Sequence, residues 1–295
     1  MALQMTSGAY IALFVAAMFA GAINSVAGGG TLITFPVLLG LLGHNGLVAN
    51  ATSTVALWPG QLSSLFGYRK EIGESRDAIQ KMAIPSVIGG GIGAVLLLHT
   101  SPDRFAQIVP FLILLATVLF ISQEPISRML KRNAERRANA RPNAEDKAAE
   151  DSGDSAGKPE SAPGVARTAE VMLFQLGVAV YGGYFGAGIG ILMLTALGFM
   201  GFTNIHRMNG IKNINGLCIN LVAICFFAFG HTAPGHGVGP HADRLIHWPI
   251  AALMTVGSIV GGYTGAGVAR KIGQRNVRRL IICLGFALTI SLFHR

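Results

Sequence analysis

The chain has 295 residues, of which 51% are hydrophobic and only 13% charged, and its mean hydropathy is positive. That is too apolar for a soluble globular domain of this length and points to an all-α polytopic membrane protein. The net charge of +9 lies almost wholly between the apolar runs, so it reports membrane orientation and argues against nucleic-acid binding.

In chain order, apolar runs of spanning or near-spanning length lie at about 9–27, 48–67, 82–98, 105–122, 171–187, 209–229, 247–269 and 280–293. Two shorter runs, about 31–43 and 190–203, each follow a glycine cluster, so about eight long transmembrane helices and two short ones are expected. The first run has no Lys or Arg before it and its pattern returns mid-chain, so it is read as a retained helix and not a signal peptide. Cys218, Cys225 and Cys283 fall inside apolar segments, which predicts neither a disulfide framework nor a zinc site.

The stretch from Asn24 to Pro36 interrupts the first apolar run with Gly28, Gly29 and Gly30. A lipid-facing backbone cannot leave its polar groups unpaired there, so the break must lie inside protein or line a cavity. Thr31 starts a fresh helix whose first N–H groups would point back at the glycines and favour an anion.

Shifting the sequence by 160 lays Gly28 and Gly30 on Gly188 and Gly190, Leu57 on Leu217 and Phe66 on Phe226. A shift of 172 then puts Met82 on Met254, Ser86 on Ser258, and Gly89-Gly90 on Gly261-Gly262. The order and the nearly constant offset mark an internal duplication. It divides the chain into a first membrane repeat over 1–123, a charged and largely disordered linker over 124–169 with a helical start near 128–140, and a second membrane repeat over 170–295.

Lys and Arg crowd 68–81, the linker and 270–279, which should therefore be cytoplasmic, with both termini on the outer side. Each half then crosses the membrane an odd number of times and the two are inverted, the plan of secondary transporters with broken helices.

No Asp or Glu lies in a predicted core span, while His206, Arg207 and Lys212 enter the second half. A Lys at a helix centre costs roughly 2.5–3.5 kcal/mol, so an unpaired one asks for a counter-ion, and an anionic substrate would supply it. The bland alternative is a Lys or Arg at the helix end, snorkelling to the interface. Thr52 and Ser53 pair with Lys212 and Asn213 by the 160 shift, within the polar sets Asn50, Thr52, Ser53, Thr54 and Asn209, Lys212, Asn213, Asn215. Such donors suit a small oxyanion, and helix capping explains Asn50 and Thr54 equally well.

Glycines 89, 93, 257, 261 and 265 stand four apart and predict close helix packing. The cluster from Gly186 to Gly190 has no strand before it, so a nucleotide-binding turn is rejected. His231, His236, His241 and His247 lie in or beside an outer loop where a metal-sensing role competes with no specific role. His44 and His206 are the neutral-pH titratable groups nearest the proposed site.

The residues from Gly21 to Gly30, with Pro36, Ala49-Asn50-Ala51-Thr52-Ser53 and the cluster from Gly182 to Gly190, resemble the TauE/SafE family of sulfite exporters over nearly the whole chain except the linker. Thr195-Ala196 departs from the pattern, standing where the repeat would place a proline. The resemblance implies an inner-membrane permease moving small sulfur-containing anions such as sulfite, thiosulfate or organosulfonates outward.

The combined reading is a secondary transporter with two inverted repeats and no enzymatic activity. Asn24, Gly28, Gly29, Gly30, Thr31, Thr52, Ser53, Gly188, Gly190, Lys212 and Asn213 are its substrate-binding candidates. No cofactor or metal is expected; the partners are the lipid bilayer and a small anion, with a homo-oligomer left open. The rivals are a permease for another small anion and a non-transporting membrane subunit that docks through the linker.

Overall fold

The computed structural model describes residues 6–26, 29–42, 45–65, 69–140, 165–200, 202, 204–230, 245–272 and, further on, 282–283, 285–287, 289–290 and 292. These form helices α1 (Ser7–Val26), α2 (Thr31–Leu41), α3 (Gly46–Ser64), α4 (Arg69–Gly73), α5 (Arg76–Leu98), α6 (Pro102–Ala140), α7 (Val165–Tyr184), α8 (Ile189–Phe199), α9 (Ile205–Phe229) and α10 (Trp248–Ile272). The described residues from 282 onward are also helical, and no strand occurs among the described residues.

Four described helices are long and apolar enough to cross a membrane: Ser7–Asn24, Arg76–Leu98, Pro102–Ser122 and Arg207–Phe229. Two other long helices, α3 and α7, fall outside that class for local reasons. Helix α3 is diluted by Asn50, Thr52, Ser53, Thr54 and Gln61, and α7 opens on Arg167 and Glu170.

Helix starts follow local chemistry. Asn45 caps α3, its side chain accepting from the Val48 N–H at 3.2 Å, and Asn204 caps α9 by accepting from the Arg207 N–H at 3.3 Å. Pro102 opens α6, where its missing N–H costs nothing, and Asp103 follows in the first turn. Helix α6 then runs for 39 residues, about 58 Å. It passes through position 124, where the linker was expected to begin, and reaches Ala140; residues 141–164 of that linker lie outside the described residues.

The tertiary contacts interleave the halves of the chain. Helix α1 packs along α10 and α7 along α5; α3 lies on α10 and α9 on α5; α2 joins α1 to α3, α8 joins α7 to α9, and α3 meets α9. Exchanging α1, α2, α3 and α5 for α7, α8, α9 and α10 leaves this set of neighbours unchanged.

Two glycines show how the long pairs approach. A side chain at Gly261 would run into the Met18 carbonyl of α1, and one at Gly89 would press on Ala179 and the Leu176 carbonyl of α7. Backbone-to-backbone contact of this kind is the packing open to helices in lipid, where burial of apolar surface gives them no mutual attraction. The serines matched by the 172 shift are both buried and both reach the neighbouring helix. Ser258 Oγ donates to the Ala56 carbonyl at 2.6 Å, and Ser86 Oγ lies 3.1 Å from Asn215 Oδ1.

Candidate functional site

Both chain breaks lie in the interior, against α6. A side chain at Gly29 would strike the Phe120 ring, and one at Gly188 would touch Leu119 and Ala116. The two breaks are nevertheless built differently.

In the first, Asn24 Oδ1 accepts from the N–H of Gly29 at 2.8 Å and of Gly30 at 2.7 Å. The amide thus closes the start of α2 with its own oxygen. Two donors on one atom also settle the amide's orientation, leaving Nδ2 as the group Asn24 can offer elsewhere.

In the second, Gly186 and Gly188 both take φ of +80°, open to glycine and strained for other residues. Gly188 caps α8 without any side-chain bond. Tyr181 steadies this turn from the other polarity, its hydroxyl donating to the Ala187 carbonyl at 2.7 Å. The first N–H groups of α8 have no intrahelical partner, and they begin at Ile189 and Gly190.

Between the breaks lies a cavity of about 40 Å³, room for a small oxyanion with little water. Asn24, Gly29, Thr31, Thr54, Leu57 and Gln61 line it from the first half. Gly186, Ile189, Gly190, Met193, Lys212, Asn213, Gly216 and Asn220 line it from the second. No carboxylate is among them.

Lys212 is 3% exposed, and its Nζ has no hydrogen-bond partner. A buried ammonium without a carboxylate beside it is costly until an anion arrives. Lys212 Nζ and Asn24 Nδ2 are donors without an acceptor role, and the open end of α8 adds backbone N–H groups. The lining is therefore weighted toward negative charge.

Of the sequence-derived candidates, the structure brings Asn24, Gly29, Thr31, Gly190, Lys212 and Asn213 to this cavity. Gly28 lies outside the described residues. Gly30, Gly188, Thr52 and Ser53 do not line it. Gly30 and Gly188 shape the breaks behind it. Thr52 Oγ1 accepts from the His247 N–H at 3.0 Å, tying α3 to the start of α10, and Ser53 pairs its hydroxyl with that of Thr34. Arg207 sits apart, its guanidinium donating to the Glu74 carbonyl at 2.8 Å and to Ser75 Oγ at 3.2 Å. His44, His231, His236, His241 and the His206 side chain lie outside the described residues.

The sequence model of the family described as sulfite exporter TauE/SafE matches residues 13–292. The chain belongs to the TauE/SafE family. It is similar to a probable membrane transporter protein of Haemophilus influenzae, 25% identical over 96% of this chain and 93% of that one. A probable membrane transporter protein of Sinorhizobium, ORF9, is 26% identical over 95% and 90%, and the probable membrane transporter protein YfcA of Escherichia coli K12 is 23% identical over 96% and 88%. No solved structure matches the chain. This TauE/SafE protein is thus a multi-pass membrane transporter and not an enzyme.

Sequence reasoning did not single out Gln61 and Asn220, which meet at the cavity wall, Asn220 Nδ2 donating to Gln61 Oε1 at 2.9 Å. The signal was present one residue away. The partners are 159 apart, and by that offset Thr54, Leu57 and Gln61 fall on Asn213, Gly216 and Asn220, three matched pairs that all line the cavity.

Proposed function

We propose that this protein is a secondary transporter that carries small sulfur-containing anions, such as sulfite, thiosulfate or organosulfonates, outward across the inner membrane by alternating access. The observation that carries the reading is Lys212, buried beside a cavity with no carboxylate to pair it. The anion follows from that charge balance; sulfur follows from the family's description as sulfite exporters.

Alternating access rests on two inverted repeats, about eight long helices and two short ones in all. The exchange of helix neighbours between the halves and the matched pairs lining the cavity support it. The basic stretches at 68–81, 124–169 and 270–279 face the cytoplasm in this arrangement. Rocking one bundle against the other opens the cavity to each side in turn.

The test is flux of labelled sulfite, thiosulfate and a small sulfonate into liposomes holding the purified protein, beside Lys212→Ala. Saturable, anion-selective flux that falls by about tenfold or more in the variant is expected, a loss of about 1.4 kcal/mol or more. Flux that survives the substitution would remove Lys212 from the site. No anion flux at all would favour the non-transporting subunit.

A further inference from the structure

Asn50 stands near the start of α3, 1% exposed. Its Nδ2 donates to the carbonyl of Tyr184, the last residue of α7, at 2.8 Å. The bond fixes the amide, since the reversed orientation would set two oxygens against each other. The remaining atom, Oδ1, is buried and has no partner. Asn209, 159 residues further on, leaves its Oδ1 buried and unpartnered in the same way. An orphaned buried carbonyl oxygen is costly, and finding it at matched positions in α3 and α9 asks for something that fills it.

The surroundings of Asn50 say what. Helix α7 ends there, and its last carbonyls lack intrahelical N–H partners and carry the negative end of the helix dipole. The Tyr181 carbonyl is taken by the N–H groups of Phe185 and Gly186, and that of Tyr184 by Asn50. No charged residue occurs from Met1 to Tyr68 or from Val171 to Ile205, and Asp103 and Arg104, which flank the Thr100 and Phe105 contacts of Tyr184, are exposed, so the helices that hold these oxygens bring to them neither a competing cation nor a carboxylate that would favour a divalent ion. Asn209 differs, because Arg207 and Lys212 flank it on its own helix and would repel a cation.

We propose that the Asn50 amide oxygen and the α7 end carbonyls left without N–H partners bind a monovalent cation of sodium's size whose binding strengthens that of the anion. The proposal rests on the anion reading above, since the anion supplies the counter-charge. Thr54 joins the two places. Its hydroxyl donates to the Asn50 carbonyl at 3.0 Å, and the residue lines the cavity one helical turn further on, about 5.4 Å along the axis. Cation and anion attract across that turn, and each must raise the other's affinity by the same factor. A dianion would be neutralised by Lys212 together with one such cation.

The experiment is thermal unfolding of the purified full chain in sodium, potassium and choline chloride at one ionic strength, with and without sulfite. Sodium should raise the midpoint above that in choline, and sulfite should lower the half-effective sodium concentration by about fivefold or more. Asn50→Leu should abolish the sodium shift. If Asn50→Leu does not fold, Asn50→Gln, which keeps the amide but displaces its oxygen, should raise the half-effective concentration by about tenfold. Equal midpoints in sodium and choline, or a sodium shift that survives substitution of Asn50, would overturn the site. A sulfite shift measured in choline reports on the cavity alone. Sulfite stabilisation without sodium stabilisation therefore overturns the cation site and leaves the anion reading standing, whereas no shift with either ion overturns both.

Discussion

Gln61 and Asn220, 159 residues apart, hydrogen-bond to each other across the contact between α3 and α9 at 2.9 Å. Trp58 and Leu217, also 159 apart, do the same through the Trp58 Nε1–H and the Leu217 carbonyl at 3.2 Å. Positions 159 residues apart thus touch at two places along this contact, the pattern expected if a two-fold relation passes between the two helices. A double-mutant cycle of Gln61→Ala and Asn220→Ala, read by unfolding in bicelles, should return a coupling of about 0.6 kcal/mol and no more than about 1.7, the range of interhelical hydrogen bonds in membranes. A coupling near zero would mean the pair is held apart in the folded protein.

Asn24 separates stability from binding. Asn24→Ala leaves the Gly29 and Gly30 N–H groups unpaired in the interior and should cost about 1–3 kcal/mol of stability. Asn24→Asp keeps the acceptor, so the fold should survive. Its carboxylate replaces Nδ2 and supplies Lys212 with a resident counter-charge, which should weaken sulfite binding by about tenfold or more. Calorimetric titration beside thermal unfolding separates the two effects.

The long helix pairs depend on bare backbone. Gly261→Leu and Gly89→Leu should each lower stability by about 3 kcal/mol or abolish accumulation in the membrane, because the facing carbonyls of Met18 and Leu176 have no room to retreat. Gly177→Ala, in α7 with nothing within 4 Å of the added carbon, should be neutral or stabilising by up to about 1 kcal/mol. Detergent unfolding of the three variants would show the contrast.

Arg207 ties the start of α9 to the turn between α4 and α5 through two different nitrogens. Arg207→Ala should cost about 1.5–3 kcal/mol, as for hydrogen bonds to a charged group. Arg207→Lys should recover less than half, because one ammonium cannot reproduce the forked geometry. Protease cleavage between α4 and α5, timed in both variants, would report the loosening.

Much of this architecture was legible in the sequence. The helices follow the apolar runs, the glycine clusters mark both breaks, and Gly29, Gly190, Lys212 and Asn213 line one cavity, although the offset of 160 paired Gly190, Lys212 and Asn213 with Gly30, Thr52 and Ser53, which do not. The use made of each donor was not legible. Whether Asn24 offers its oxygen to the loop or to a ligand depends on a bond spanning five and six residues, which no periodicity records. Thr52 and Ser53 were polar at the right spacing, yet their hydroxyls are spent on His247 and Thr34. The continuity of α6 through position 124 was hidden for another reason, though the helical stretch over 128–140 was expected. Arg, Lys and Ala are good helix formers, so a shift to a solvent-exposed composition does not signal a break between an apolar helix and the charged stretch that follows it.

The unequal breaks have a consequence for the proposed cycle. Two halves of identical construction, trading shapes as the carrier turns, would give inward- and outward-facing forms of equal energy. Here one jaw, with Gly29 at φ of +120°, is clamped by Asn24, and the other turns on two glycines at φ of +80° with no side-chain cap. That removes the degeneracy, so in the proposed cycle the empty carrier rests on one side, while the gradients of its cargo still set the direction of net flux.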